Sequence, residues 1–179
     1  MMYMIWKRRE ESKNFVIREA NPKDARQIIE CMQSVMDEKI YLVGEYYLLT
    51  ERGEQERLKN PDELTLVCEV NGKIVGVLTL QRGFYKKNRH TANLGIAIMS
   101  GYRGIGIGTR MITQAIQWAR EHGIEKVNLE VFSTNINAIN IYKHIGFEIE
   151  GIRKKQFIIN GSYVDDILMT IYTSESVKN

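Results

Sequence analysis

The stretch Arg103-Gly104-Ile105-Gly106-Ile107-Gly108-Thr109-Arg110 decides how this chain is read. It lies between a β-rich run, Thr91 to Met99, and an amphipathic segment whose apolar residues Met111, Ile112, Ala115, Ile116 and Ala119 keep helical spacing up to Gly123. Glycines let the backbone take positive φ and approach a ligand with no Cβ in the way. The helix that follows offers free N–H groups and the positive end of its dipole. Together these features predict an anion site, phosphate above all. Two phosphate motifs fail here. A P-loop needs Lys-Ser/Thr after its last glycine, and Thr109-Arg110 stands there instead. A dinucleotide fingerprint needs a third glycine at Thr109 and a leading βαβ unit, and this strand follows two hairpin strands.

Outward from the loop, the pattern alternates strands and helices. Phe15 to Ala20 reads as a strand, and Asn21-Pro22 opens a helix carrying Ile28, Ile29, Met32, Val35 and Met36 on one face. A second helix is expected within 38–58. Leu64–Val70 and Lys73–Gln81 flank Asn71-Gly72, the signature of a type I′ hairpin. Both runs are apolar on both faces, so the sheet should be covered on both sides. Lys126 to Phe132 is a strand. Ala138 to Ile145 is a short helix, with Asn137 as its expected N-cap and Gly146 at its end. A second Asn-Gly hairpin, at Asn160-Gly161, joins strands over 147–159 and 162–172. The order β-αα-βββ-α-β-α-ββ predicts one mixed α/β domain over 15–173, with an N-terminal arm (1–14) and a C-terminal tail (174–179).

Composition excludes other classes. Hydrophobic residues make up 44% and charged residues 26%, with a net charge of +3, which is a globular rather than a disordered balance. No apolar run reaches the ~20 residues of a membrane span, so no membrane partner is expected. The basic clusters Lys7-Arg8-Arg9 and Arg153-Lys154-Lys155 are isolated and offset by acids, so no nucleic-acid partner is expected either. Cys31 and Cys68 lack metal spacing and read as small buried thiols, which suits a reducing cytoplasm; His90, His122 and His144 show no metal pattern, and no metal is expected.

A third motif, Arg/Gln-x-x-Gly-x-Gly/Ala, is filled by Arg103, Gly106 and Gly108. Here the chain resembles the GCN5-related N-acetyltransferase (GNAT) superfamily. The likeness extends to Asn135, Ala138, Tyr142 and Gly146-Phe147, in the family's order and spacing. The segment Glu150-Gly151-Ile152-Arg153 and the run Phe157 to Asp165, with Met169, are similar to the C-terminal hairpin of spermidine, ribosomal-protein and amino-acid N-acetyltransferases. The resemblance implies a mixed, mostly antiparallel sheet with splayed middle strands and helices on both faces. It implies acetyl-CoA as co-substrate. The pyrophosphate would lie on Arg103, Gly104, Ile105, Gly106, Ile107 and Gly108, and the pantothenate along the backbone of Ile96, Ala97 and Ile98. Tyr142 would be the general acid. Asn135 would contact the cofactor or form a local Asx turn.

The implied reaction is direct attack of a primary amine on the thioester in a ternary complex. Asp37, Glu38 and Glu45 fall in the region the family uses for the acceptor, and carboxylates there favour a polyamine or other small amine. An amino acid or a protein N-terminus is the alternative, and a non-catalytic acyl-CoA-binding module is the alternative of a different class. The general base is not identifiable: Asn93 stands where many relatives carry glutamate, and Glu130 reads first as a surface ion pair. Homodimers are common in the family, and the resemblance leaves room for one.

Overall fold

The computed structural model describes residues 14–173. The expected tail, the first basic cluster and all but the last residue of the expected arm lie outside them. Seven strands form one sheet in the order β1-β2-β3-β4-β5-β7-β6. They are β1 (Phe15–Glu19), β2 (Glu63–Val70), β3 (Lys73–Arg82), β4 (Thr91–Ile98), β5 (Lys126–Phe132), β6 (Glu148–Ile159) and β7 (Ser162–Tyr172). Every neighbouring pair is antiparallel except β4 and β5. The helices are α1 (Ala25–Met36), α2 (Glu51–Arg57), α3 (Ile107–Glu121) and α4 (Ile136–Ile145).

Both Asn-Gly turns have φ positive at their two central residues: 49° and 78° at Asn71-Gly72, 51° and 78° at Asn160-Gly161. That is the type I′ turn, whose twist matches that of the flanking strands. β2 and β3 are buried on both faces, as their unbroken apolar runs require. On one face, α3 packs Met111, Ile112 and Ala115 against Leu66, Cys68, Leu78 and Leu80. On the other, Ile28 and Cys31 of α1 meet Val67, Ile74 and Val77. Both cysteines are buried and free, and desolvation pushes their thiols up, to about 12 for Cys31 and about 11 for Cys68.

Two local expectations change. The helix expected within 38–58 is confined to α2; residues 38–50 form an irregular loop. Thr50 starts α2, its hydroxyl accepting from the Gly53 N–H at 3.1 Å. The loop is fixed at its far end by a buried network instead. The Tyr47 hydroxyl donates to Glu54 at 2.8 Å, Glu54 is fully buried, and Arg57 binds Glu54, Glu63 and Thr65. α4 begins two residues earlier than expected, because the cap is Asn135, whose side chain accepts from the Ala138 N–H, rather than Asn137.

The parallel pairing of β4 with β5 covers only Thr91–Lys126, Ala92–Val127 and Asn93–Asn128. Beyond it the two strands part, and the sheet opens into a cleft. α1 packs over β2, β3 and β4, and among the described residues no helix covers the same sheet face from β5 onward. That geometry positions the site.

Candidate active site

The glycine loop stands at one mouth of the cleft. Gly104 and Gly106 have φ of 75° and 89°, and a Cβ built on either would meet nothing within 4 Å. These glycines are therefore set by backbone conformation, and their free sides face open space. Gly106 caps the 15-residue α3. Among the described residues, the N–H groups of Gly104 through Thr109 bond to no acceptor, and the first to fold back is that of Arg110, on the Gly106 carbonyl. A run of unpartnered N–H groups at the positive end of a helix suits a diphosphate. Ile107 is 1% exposed and anchors this loop in the core.

A cavity of about 540 Å³ runs from the loop along the open edge of β4. It is lined by Gly104, Gly106, Gly108, Ile96, Ala97, Ile98, Arg103, Asn135 and Tyr142. The backbone geometry divides the three β4 residues. Met99 donates to the Val75 carbonyl, so by alternation Ala97 and Gly95 also turn their peptide groups toward β3. Leu94, Ile96 and Ile98 turn theirs toward the cleft. Ala97 therefore lines the cavity without offering it a backbone hydrogen bond, and the Ile98 carbonyl already accepts from Arg103 Nε at 2.7 Å.

Arg103 is held internally. Its guanidinium makes two bonds to Glu38, at 2.8 and 2.5 Å, and lies 4.5 Å from the centre of the Tyr41 ring. The Glu38 hydrogen bonds raise its pKa further above the usual arginine range. Arg103 therefore ties the 38–50 loop to the start of the glycine loop. The three carboxylates expected at the acceptor line neither this cavity nor the one described below. Glu38 is on Arg103, Asp37 accepts from Gln33 at 2.8 Å, and Glu45 is exposed.

Tyr142 lies on the inner face of α4, 7% exposed, with its ring 5.8 Å from that of Phe147. Its hydroxyl has no hydrogen-bond partner among the described residues, yet no buried side-chain polar atom is left unsatisfied. The hydroxyl therefore opens on the cavity. Desolvation pushes its pKa up to about 12, so it keeps its proton at neutral pH.

On the face of the sheet that α1 leaves bare, a second cavity of about 460 Å³ lies over β4, β5, β6 and β7. Leu94 and Glu130 line both cavities, and among the described residues Glu130 is the only carboxylate lining the first. The two spaces meet where β4 and β5 part. The ion pair expected of Glu130 is present, with Arg153 at 3.0 Å, and the same side chain also lines both cavities. The alternation of Asn128 and Glu130 with the buried Val127, Leu129 and Val131 puts Glu130 on the open face of β5. Among the described residues there is no cluster suited to a metal ion and no helix long and apolar enough to cross a membrane.

A profile of the acetyltransferase (GNAT) family matches residues 28–147. The chain is 36% identical over 120 residues to the L-amino acid N-acetyltransferase AaaT of Escherichia coli, covering 64% of this chain and 72% of that protein. It is 31% identical over 149 residues to an N-alpha-acetyltransferase of Sulfurisphaera tokodaii, covering 77% and 83%. A GNAT-family acetyltransferase from Streptococcus pneumoniae superposes with a TM-score of 0.83 at 30% identity, covering 89% of this chain and 99% of that one. With the splayed strands, the glycine loop and the tyrosine in place, the chain belongs to the acetyltransferase (GNAT) family and is an N-acetyltransferase that takes its acetyl group from acetyl-CoA.

Proposed function

We propose that this chain acetylates the primary amine of a small molecule by direct attack in a ternary complex. The observation that carries the reading is the meeting of the two cavities at Leu94 and Glu130: one has the diphosphate loop at its mouth, the other opens on the bare face of the sheet. Acetyl-CoA supplies an acetyl thioester that is already activated, so the protein's task is mainly to place an amine against it.

The N–H groups of Gly104 through Gly108 bind the diphosphate, and the open edge of β4 at Ile96 and Ile98 guides the arm that follows. An alkyl amine near pKa 10 arrives protonated. Glu130 takes that proton, directly or through one water, and frees the lone pair. A β4 N–H turned toward the cleft stands where negative charge develops on the carbonyl oxygen. Tyr142 donates its proton to the departing thiolate, and the second proton that the nitrogen sheds as the amide forms passes through water to restore the phenol. Burial keeps this phenol protonated at neutral pH, which is what a general acid requires.

Among small amines, Asp37, Glu38 and Glu45 in the sequence favour a polyamine. The bonds of Glu38 to Arg103 and of Asp37 to Gln33 weaken that support. The test is a thermal shift with acetyl-CoA, followed by thiol release over a panel of amines, amino acids and a peptide. The reading expects a rise in Tm through linkage and turnover on at least one small amine. A rise in Tm with no turnover on any acceptor would favour a non-catalytic acyl-CoA-binding module.

A further inference from the structure

The second cavity holds five charged side chains, counting the buried Asp166 behind it, and their pairing is uneven. Lys126 and Glu150 close on each other at 2.5 Å. Arg153 of β6 uses a single nitrogen, Nη1, to reach both Glu130 of β5 (3.0 Å) and Asp166 of β7 (2.7 Å). Asp166 is 1% exposed, so the guanidinium is fixed from beneath by a buried carboxylate. Among the described residues Nε and Nη2 of Arg153 have no partner, and its side chain is 47% exposed. Glu130 likewise uses one oxygen, Oε1, and leaves Oε2. The site thus carries a positive fork and a negative oxygen side by side, each with bonding capacity left and both lining the same space.

We infer that the acceptor is an α-amino acid, with Arg153 as the residue that reads its carboxylate. The inference rests on the acetyltransferase reading above and names the substrate class of the same site. An α-amino acid carries an ammonium and a carboxylate on one carbon, and Glu130 and Arg153 present complementary charges at the same close spacing. The Nε/Nη2 edge of a guanidinium matches a carboxylate bidentately, which an ammonium cannot do. A polyamine would set its second cation against Lys126 and Arg153, a like-charge contact. Arg153 would be a specificity residue: its fork would orient the acid so that the amine falls to Glu130.

The experiment holds acetyl-CoA fixed and measures thiol release with a matched series: an L-amino acid, its amide, its decarboxylated amine, and spermidine. The amino acid should exceed its amide and its decarboxylated amine by about 30-fold or more in kcat/KM, the scale of a charge-assisted bidentate contact. Arg153→Lys retains a cation over Asp166 but removes the fork. It should raise KM for the amino acid about 10-fold or more and cut the kcat/KM preference for the amino acid over its decarboxylated amine about 10-fold, whatever loss the two share through the contact of Arg153 with Glu130. Amino acid and amide within about 3-fold of each other, a preference for spermidine, or equal loss on both substrates in the variant would each overturn the inference. The wild-type series decides it even if the variant folds poorly. An acetyl-CoA thermal shift with turnover on other amines, but not on amino acids, overturns the inference alone. No shift and no turnover overturns the acetyltransferase reading with it.

Discussion

The two walls of the cleft are built by different means. The cofactor wall is contiguous in sequence and made of backbone: six unpartnered N–H groups between Gly104 and Thr109, two positive-φ glycines and a helix start. The acceptor wall is made of side chains from separate elements: Glu130 of β5, Arg153 of β6 and Asp166 of β7, with Arg103 and Glu38 linking the loop to the cofactor side. On the proposed reading the first wall binds the diphosphate, for which fixed dipoles suffice. On the same reading the second selects the amine, and discrimination needs charge and shape that substitutions can alter.

If that contrast holds, the largest loss comes from the backbone wall. Gly106→Val places a β-branched residue at φ 89° and aims its side chain into the open space over the loop. Acetyl-CoA affinity should fall about 100-fold or more; the added Cβ meets nothing within 4 Å, so the cost to the fold is the local strain of a β-branched residue at positive φ, read separately as a lowered Tm. Isothermal titration checks it, and unchanged affinity would break the contrast. Gly108→Ala sharpens it: without a positive φ, and with only the Ile98 side chain at 3.4 Å, it should cost far less.

Next in size is Tyr142→Phe, which removes the one hydroxyl that opens on the first cavity from α4. A drop in kcat of about 10- to 100-fold with unchanged KM for acetyl-CoA is expected. The pH profile carries a sign. Desolvation raises this phenol to about 12, so its proton is retained through pH 10, where an ordinary tyrosine is half ionised. The wild-type kcat should therefore show no decline below about pH 11 that Tyr142→Phe abolishes.

A smaller effect should follow Glu38→Gln, which unties the acceptor loop from Arg103. The pair is bidentate but partly exposed, so a loss on the order of 1 kcal/mol is expected. Read in steady-state kinetics, KM for acetyl-CoA and for the amine should both rise a few-fold. A rise confined to the amine would show that Glu38 serves the acceptor alone and that the two walls are independent.

The same difference explains what the sequence disclosed. The glycine loop, the two Asn-Gly hairpins and the succession of elements along the chain follow from local chemistry, because each signal sits within a few neighbouring residues. The bonding of Arg103 to Glu38 spans 65 positions and that of Arg153 to Glu130 spans 23, and no spacing rule reaches so far. The helix expected within 38–58 is confined to Glu51–Arg57, and 38–50 is an irregular loop. Its conformation is decided by the buried Glu54–Arg57 network and by Arg103 instead. Ala97 lines the cavity, but the direction of its peptide groups depends on the register with β3, which no local signal carries.

Asn135 belongs to both descriptions, and the smallest prediction separates them. Its side chain accepts from the Ala138 N–H at 3.3 Å, capping α4, and it also lines the cofactor cavity. Asn135→Ala removes the cap and should cost about 1 kcal/mol, a few degrees in Tm. Because α4 carries Tyr142, a frayed first turn would also lower kcat slightly. Asn135→Ser restores a capping oxygen but shortens the side chain and removes its amide N–H groups. If capping is the whole role, serine returns both Tm and KM for acetyl-CoA to near wild-type values. If the amide touches the cofactor, Tm recovers while KM stays high. In that case the cofactor wall includes at least one side chain that discriminates, and the division between a wall of backbone and a wall of side chains has to be redrawn at α4.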